Sequence, residues 1–263
     1  MTTEVATRDL AERRRSLLAY SVGLAVYILV VVAIYPAFKD TTSLDKLTTE
    51  NPGLAAVFGI SGSITSSVGW MSANVYANFF PLVALLVTIG YGAHCLAGQE
   101  ESGHLELILS LPFARHAVVV QKIAALITQA TVLGVVVFGA AACGRFFEMD
   151  FSLGALVAST AGVALMAIDL GLLAMALGAW RGNRAMAIGI AAAVAAASYL
   201  VSSLAPVVSA LEPFRFASLF YWCVGQNQLE NGLDVASVAV LVGTGAVLVI
   251  ASVVLFEHHD LRA

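Results

Sequence analysis

Charged residues are scarce in this sequence of 263 residues. Lysine, arginine, aspartate and glutamate together make up 11% of it, whereas about 25% is typical of a soluble domain. The chain is 60% hydrophobic and has a mean hydropathy of +0.90, so its polar side chains cannot cover a surface that faces water. The composition therefore excludes an ordinary soluble domain and indicates a protein whose main solvent is lipid.

Several patterns that mark functional sites are also missing. The net charge of −4 is small and there is no basic stripe, so no nucleic-acid partner is expected. The sequence contains no GxxxxGK[ST] phosphate loop, no H-E-x-x-H and no G-x-S-x-G, and it offers no catalytic residue. Cys95, Cys143 and Cys223 lie in or beside apolar runs without CxxC spacing, which favours buried small side chains. The adjacent His258 and His259 point in different directions on a helix or strand, so no metal site is expected.

Six long apolar runs predict six transmembrane helices. A helix needs about 20 apolar residues to cross the hydrocarbon core, and unpaired backbone groups are costly in lipid, so each run should be helical. The alternation that is typical of a membrane barrel is absent. We therefore predict an all-α integral membrane protein with a single transmembrane domain over residues 1–263. The runs cover residues 17–35, 75–96, 123–143, 153–180, 185–204 and 235–256.

The distribution of lysine and arginine predicts the orientation of these helices. With the N-terminus inside, nine cations lie on the inner side and four on the outer side. Both termini are therefore expected in the cytoplasm, as in a multi-pass protein of the inner (cytoplasmic) membrane. The inner set is Arg8, Arg13, Arg14, Arg15, Arg115, Lys122, Arg181, Arg184 and Arg262, and the outer set is Lys39, Lys46, Arg145 and Arg215.

Three of the segments outside the spans have a distinct character. Residues 1–15 are polar and compatible with a helix, and both a surface helix and a disordered tail remain open for them. Residues 36–74 form a long outer segment whose second half is apolar enough to pack against the membrane face. Residues 205–234 form another outer segment, and its aromatic stretch favours a half-buried, re-entrant helix.

Residues 98–116 lie on the cytoplasmic side between the second and third spans. Helix-favouring residues run from Glu101 to Leu111, and Pro112 ends the run. The predicted helix is about 15–20 Å long, which is too short to cross the membrane. Its apolar side would rest on the ends of the spans, and its polar side, with Glu101 and His104, would face outward. From the residues alone, both a helix that caps the bundle and a helix that docks a partner remain open.

The same segment resembles the coupling segment of permeases of the type-2 ABC exporter family. Those proteins typically have E-E-x-G-T-L-E-x-L-L-x-x-P-x-x-R between spans two and three, and a lysine that matches Lys122 often follows. His104 replaces the usual threonine. Residues 227–234, NQLENGLD, resemble the N-P-L-x-N-G motif before the last span, and the ending FEHHDLRA resembles F-x-x-R-D-L. The matching coupling residues are Glu100, Glu101, Gly103, Leu105, Glu106, Ile108, Leu109, Pro112 and Arg115.

The resemblance implies a permease subunit that forms half of a translocation pathway. Two copies of a separate cytoplasmic ABC ATPase would supply the work and carry ATP and Mg, so this chain would bind no cofactor and would not be an enzyme. A second permease copy or a related subunit would complete the pathway within the lipid bilayer. The cargo would be an amphipathic small molecule, an antibiotic or a lipid-like compound.

The resemblance also implies roles for the residues of the coupling segment. Glu100 and Glu101 would make the polar contact to the ATPase, Leu105, Ile108 and Leu109 would hold the segment on the bundle, and Pro112 would fix its exit angle. The expected ATPase-coupling residues are Gln99, Glu100, Glu101, Gly103, His104, Leu105, Glu106, Ile108, Leu109, Pro112 and Arg115.

Asp169 supports a different hypothesis. It lies inside the fourth span, about 16 Å from the cytoplasmic end at 1.5 Å per residue. A carboxylate at this depth is costly and usually faces the bundle interior or water. It would be a substrate contact, a proton site or a hydrogen-bond partner of Gln129 or Thr131, which makes these three residues the expected substrate pathway. The alternatives to the exporter are a proton-coupled secondary transporter that uses Asp169 and a non-transporting membrane anchor or immunity subunit.

Overall fold

Six long helices make up most of the described chain. The structure is a computed structural model that describes residues 4–41, 63–105 and 114–258. Each predicted span is confirmed as a helix that is long and apolar enough to cross a membrane, and within the described ranges no residue lies in a strand. The six helices are α1 (Glu4–Phe38), α2 (Ser67–Glu101), α3 (Arg115–Phe147), α4 (Leu153–Arg181), α5 (Arg184–Leu204) and α6 (Val235–Glu257).

Helix α1 begins much earlier than its apolar run. From Glu4 onward, the polar N-terminal residues continue the first span as one helix. Val5, Ala6 and Asp9 are buried against the rest of the bundle. Residues 4–15 are therefore neither a separate surface helix nor a disordered tail. Most charged residues of this segment are exposed, but the carboxylate of Asp9 is buried and therefore needs polar partners inside the protein.

Helix α2 also extends beyond its apolar run at both ends. It contains two π-helical stretches, Ser72–Phe79 and His94–Gly98, and it ends at Glu101. Its beginning at Ser67 lies within the predicted outer segment 36–74, of which residues 42–62 lie outside the described residues. The indole N–H of Trp70 donates to the backbone oxygen of Val31 at 3.0 Å, which joins α2 to α1.

Helix α4 lies at the centre and contacts α2, α3, α5 and α6, while α1 packs on α3. The closest crossing joins α2 to α4. A Cβ placed on Gly92 would lie 2.0 Å from the backbone oxygen of Gly171, so only glycine fits there. Farther along the same pair, the Tyr76 hydroxyl and Thr160 Oγ1 form a buried hydrogen bond of 2.9 Å. Gly92 thus permits the close contact of α2 with α4, whereas nothing lies within 4 Å of a Cβ placed on Gly90.

The turn between α4 and α5 is short, and its residues cap the two helices that it joins. Helix α4 ends at Gly182, whose φ of 61° lies in the left-handed region, and its N–H donates to the backbone oxygen of Gly178. Asn183 then caps α5, because its Oδ1 accepts from the N–H of Met186 at 2.8 Å. The turn therefore has only two residues between the helices.

The first and last described residues of the chain lie at one end of the bundle, which we call the terminal end. Ala6 near the start and Phe256 near the end belong to one apolar cluster, together with Leu96, Leu105 and Val119. The opposite end, called the far end, carries the loops between α1 and α2, α3 and α4, and α5 and α6.

The last of these loops packs onto the helices as three short helical turns. They cover Ser209–Ala217, Leu219–Cys223 and Gln228–Asn231. Phe220, Cys223 and Leu229 are buried. The expectation of a half-buried segment over residues 205–234 is thus confirmed, but the single re-entrant helix is replaced by short turns.

Candidate functional site

The predicted coupling segment begins as the last turn of α2. Gln99, Glu100 and Glu101 continue that helix, and the chain then turns at Ser102 and Gly103. Gly103 has a φ of 72°, a conformation that favours glycine. The acidic pair therefore ends a spanning helix, where we expected it in the first turn of a new helix.

The chain is helical again at His104 and Leu105, and Leu105 is fully buried in the apolar cluster of the terminal end. This burial agrees with its expected role of holding the segment on the bundle. Arg115 is exposed and begins α3. The remaining predicted members, Glu106, Ile108, Leu109 and Pro112, lie outside the described residues.

The two glutamates lie against the turn between α4 and α5. Glu101 Oε1 accepts a hydrogen bond of 2.8 Å from the backbone N–H of Arg184, the first residue of α5. A Cβ placed on Gly182 would lie 2.8 Å from an oxygen of Glu100, so this carboxylate rests on the glycine. Both side chains thus have neighbours within the chain. The surface that projects outward here consists of Glu101, Ser102, Gly103 and His104, which are all exposed.

A buried polar cluster joins the start of this segment to α1 and α3. It consists of Asp9, Tyr91, Gln99 and Lys122, and we call it the Asp9 cluster. Lys122 has no exposed surface, and only 6% of Asp9 is exposed. The Lys122 Nζ donates to Asp9 Oδ2 at 3.2 Å and to Gln99 Oε1 at 2.7 Å. The Tyr91 hydroxyl donates to Asp9 Oδ2 at 2.7 Å, and Gln99 Nε2 donates to Asp9 Oδ1 at 3.4 Å.

Neighbouring contacts hold α1 in register with this cluster. Gln121 Oε1 accepts from the backbone N–H groups of Val5 and Ala6, at 3.0 and 3.4 Å. These donors belong to the first turn of α1, which has no intrahelical partners for them. The guanidinium of Arg13 lies 5.2 Å from the centre of the Tyr91 ring. The N-terminal turns of α1 are therefore fixed by polar contacts to both α2 and α3.

Sequence reasoning identified Gln99 and Lys122 but missed Asp9 and Tyr91. A lysine inside the helical run of α3 was a usable signal, because a buried ammonium needs a partner. The partner, however, lies 113 residues away in the chain, which no local pattern reveals.

Six apolar helices, with a short segment between the second and third that is anchored at the terminal end, now define the architecture. Residues 3–261 match the family described as ABC-2 family transporter protein. The chain belongs to the ABC-2 transporter family. No similar sequence was found among curated proteins. Family membership and the six apolar helices support a multi-pass membrane permease, and such a permease implies an ATPase partner in general.

In this ABC-2 family protein, no hydrogen bond among the described residues joins the three that were expected to line a substrate pathway. Asp169 is buried, and Gln129 donates to the backbone oxygen of Ala125 in its own helix at 3.2 Å. Thr131 is exposed on the opposite side of α3 and donates to the backbone oxygen of Ile127. Of the three alternatives for Asp169, the hydrogen bond with Gln129 or Thr131 is therefore not seen among the described residues, and the other two stay predictions.

Asp169 is closely packed without a polar partner. Its Oδ2 is buried and makes no hydrogen bond to a residue that the structure describes. A Cβ placed on Gly245 of α6 would lie 2.8 Å from Oδ1, so the glycine makes room for the carboxyl group. Among the described histidine, cysteine and acidic side chains, no group of three lies close enough together to hold a metal ion.

Proposed function

We propose that this chain is the permease subunit of an ATP-binding-cassette exporter and that a separate cytoplasmic ATPase drives it through residues 98–116. The observation that carries the proposal is the exposed turn at Ser102–His104, which is anchored on both sides. Glu101 holds it through Arg184, and the buried Leu105 holds it on the apolar cluster. A docking element has to be accessible to its partner and also firmly attached to the helices that it moves.

The proposed assembly contains two permease subunits and two ATPases in the inner membrane, with ATP and Mg on the ATPases. The terminal end would face the cytoplasm, as the distribution of lysine and arginine predicts. An amphipathic small molecule, such as an antibiotic or a lipid-like compound, is the proposed cargo. The exposure of two helices supports the second permease subunit. Only 17% of the apolar stretch of α5 and 11% of that of α6 are buried within the chain, so their outer faces are available to lipid or to a second subunit.

The first test is co-purification of the permease with its candidate ATPase in mild detergent. The wild type should retain the ATPase, and Glu100→Ala/Glu101→Ala should lose it or uncouple its ATP turnover. His104→Ala tests the exposed turn more directly, because the described contact of the ring is its hydrogen bond of 2.9 Å with Ser102. Glu12→Ala is the matched control, since it removes an exposed acid from α1 at the same end, where it pairs with Arg8.

Glu101→Gln separates the two roles of that side chain. The amide oxygen still accepts from Arg184, but the negative charge is gone. If Glu101 contacts the ATPase through its charge, Glu101→Gln should weaken ATPase retention while the permease remains as stable as the wild type. Failure of the wild-type chain to retain the ATPase would overturn the exporter proposal.

A second candidate function rests on Asp169. Its buried carboxyl group without a polar partner favours a proton-coupled secondary transporter, because such groups inside membranes often mark proton or ion pathways. This candidate requires transport that depends on an ion gradient, without an ATPase, and that is abolished in Asp169→Asn.

A further inference from the structure

The Asp9 cluster connects three helices at the point where the proposed coupling segment leaves the bundle. Asp9 belongs to α1, Tyr91 and Gln99 to α2, and Lys122 to α3. Residues 98–116 run from Gln99 at the end of α2 to the first turn of α3, and Lys122 follows two turns later. Both helices that flank the segment are therefore hydrogen-bonded to one carboxylate of α1.

The environment makes these contacts strong and directional. The ammonium of Lys122 is fully buried beside the apolar cluster of the terminal end. On the other side, Asp9, Tyr91 and Gln99 line a polar pocket with Arg13 and His94, but only 6% of Asp9 is exposed. Electrostatic attraction is larger where water is excluded, and an unpaired charge is costly there. Displacing Gln99 or Lys122 without displacing Asp9 would leave buried polar groups unpaired, so the three helices resist separate movement.

We propose that Asp9 and Lys122 are positioning residues that pass the movement of residues 98–116 to α1. The ATPase pulls or pushes the segment, Gln99 and Lys122 move with it, and the buried pair carries α1 along. This inference rests on the proposed function and names the residues through which the movement would reach the membrane helices. Apolar side chains of similar size would fill the same space, but they would not bond to Gln99 and Tyr91.

The test compares single variants with an apolar pair. Lys122→Met and Asp9→Asn each leave a buried polar group without its partner, so both should lower the thermal midpoint of the purified permease. Asp9→Leu/Lys122→Met removes both charges and should have a higher midpoint than either single variant, because no uncompensated charge stays buried, although Gln99 and Tyr91 lose their partners. Arg8→Met is the matched control: it removes an exposed cation next to Asp9 that pairs only with Glu12 among the described residues.

The decisive readout is the change in ATP turnover that the permease causes in its candidate ATPase. The apolar pair should bind the ATPase as the wild type does, yet its effect on turnover should fall by about 5-fold or more, the lower end of common coupling energies. Lys122→Arg keeps the charge and should retain more of the effect than Lys122→Met. Arg8→Met should behave as the wild type in every measurement.

The possible outcomes distinguish a failure of this inference from a failure of the proposed function. If the apolar pair recovers both the midpoint and the effect on turnover, the cluster is purely structural and the inference is wrong, while the exporter proposal stands. If the wild type neither binds the ATPase nor alters its turnover, the exporter proposal fails and the inference fails with it.

Discussion

The carboxylate of Glu101 accepts a hydrogen bond of 2.8 Å from the backbone N–H of Arg184, 83 residues farther along the chain. Together with the cap from Asn183, it satisfies free donors in the first turn of α5. One side chain thus closes α2, begins the proposed coupling segment and caps α5. A change that removes the acceptor oxygen of Glu101 therefore acts on the permease itself as well as on a partner.

Glu101→Ala should therefore destabilise the isolated permease. Loss of a helix-capping acceptor costs about 1 kcal/mol, so a modest drop of the thermal midpoint in detergent is expected without any ATPase present. Glu101→Gln should keep the midpoint because its amide oxygen can accept the same hydrogen bond. Equal midpoints for Glu101→Ala and the wild type would show that the cap contributes nothing measurable.

Gly92→Ala should destabilise the protein far more than the addition of one methyl group usually does. The added methyl group would lie 2.0 Å from the backbone oxygen of Gly171, and a helix backbone yields less easily than a side chain. Overpacking typically costs about 1–3 kcal/mol, and we expect the upper end here, measured as unfolding in detergent. Gly90→Ala, two residues away with open space around it, is the control and should leave stability unchanged or raise it. Similar results for both variants would contradict the close crossing of α2 and α4.

Asp169→Asn should preserve the fold and, if the exporter proposal is right, ATP-driven transport. The amide has nearly the shape of the carboxyl group and carries no charge to bury, so stability should stay the same or rise. The measurements are the thermal midpoint and the permease-dependent ATP turnover of the candidate ATPase. Loss of transport together with indifference to the ATPase would instead support the proton-coupled transporter.

Ser198→Ala should loosen the segment between α5 and α6. Ser198 Oγ lies 2.9 Å from Ser218 Oγ and accepts from the backbone N–H of Phe220 at 3.2 Å. Both contacts are buried, so their loss should cost about 1 kcal/mol locally and should speed the amide hydrogen exchange of Leu219–Cys223. The control is Ser203→Ala, farther along the same helix. Unchanged exchange rates in Ser198→Ala would show that apolar packing alone holds the segment.

The six spans could be predicted from the sequence because each consists of a long apolar run. In lipid the backbone groups of such a run must bond to one another, and a helix satisfies them all within the segment. The same reasoning failed at residues 4–15. Because Asp9 is charged, hydropathy places it outside the first membrane helix. In the folded chain, Lys122 neutralises the charge of Asp9. A hydropathy window contains only residues that are close in sequence, so it cannot reveal a contact between residues 113 positions apart.

The acidic pair shows the same limit at the site. Glu100 and Glu101 suit the first turn of a helix, and the pattern therefore predicted that a new helix begins there. In the structure the helix of α2 continues through them and breaks afterwards at Gly103. Their partners lie in the turn between α4 and α5, and the packing of α2 against these two helices, not the local pattern, decides that position.

Helix α1 is one uninterrupted rod from Glu4 to Phe38. From Asp9 to Phe38 it extends about 44 Å at 1.5 Å per residue, so it can act as a lever that is driven at the Asp9 cluster. A tilt of about 5° would displace its other end by about 4 Å on this length, close to the 4.0–4.5 Å at which apolar side chains remain in contact. A rotation of a few degrees at the terminal end is thus enough to part α1 from Trp70 at the far end and to open a gap there.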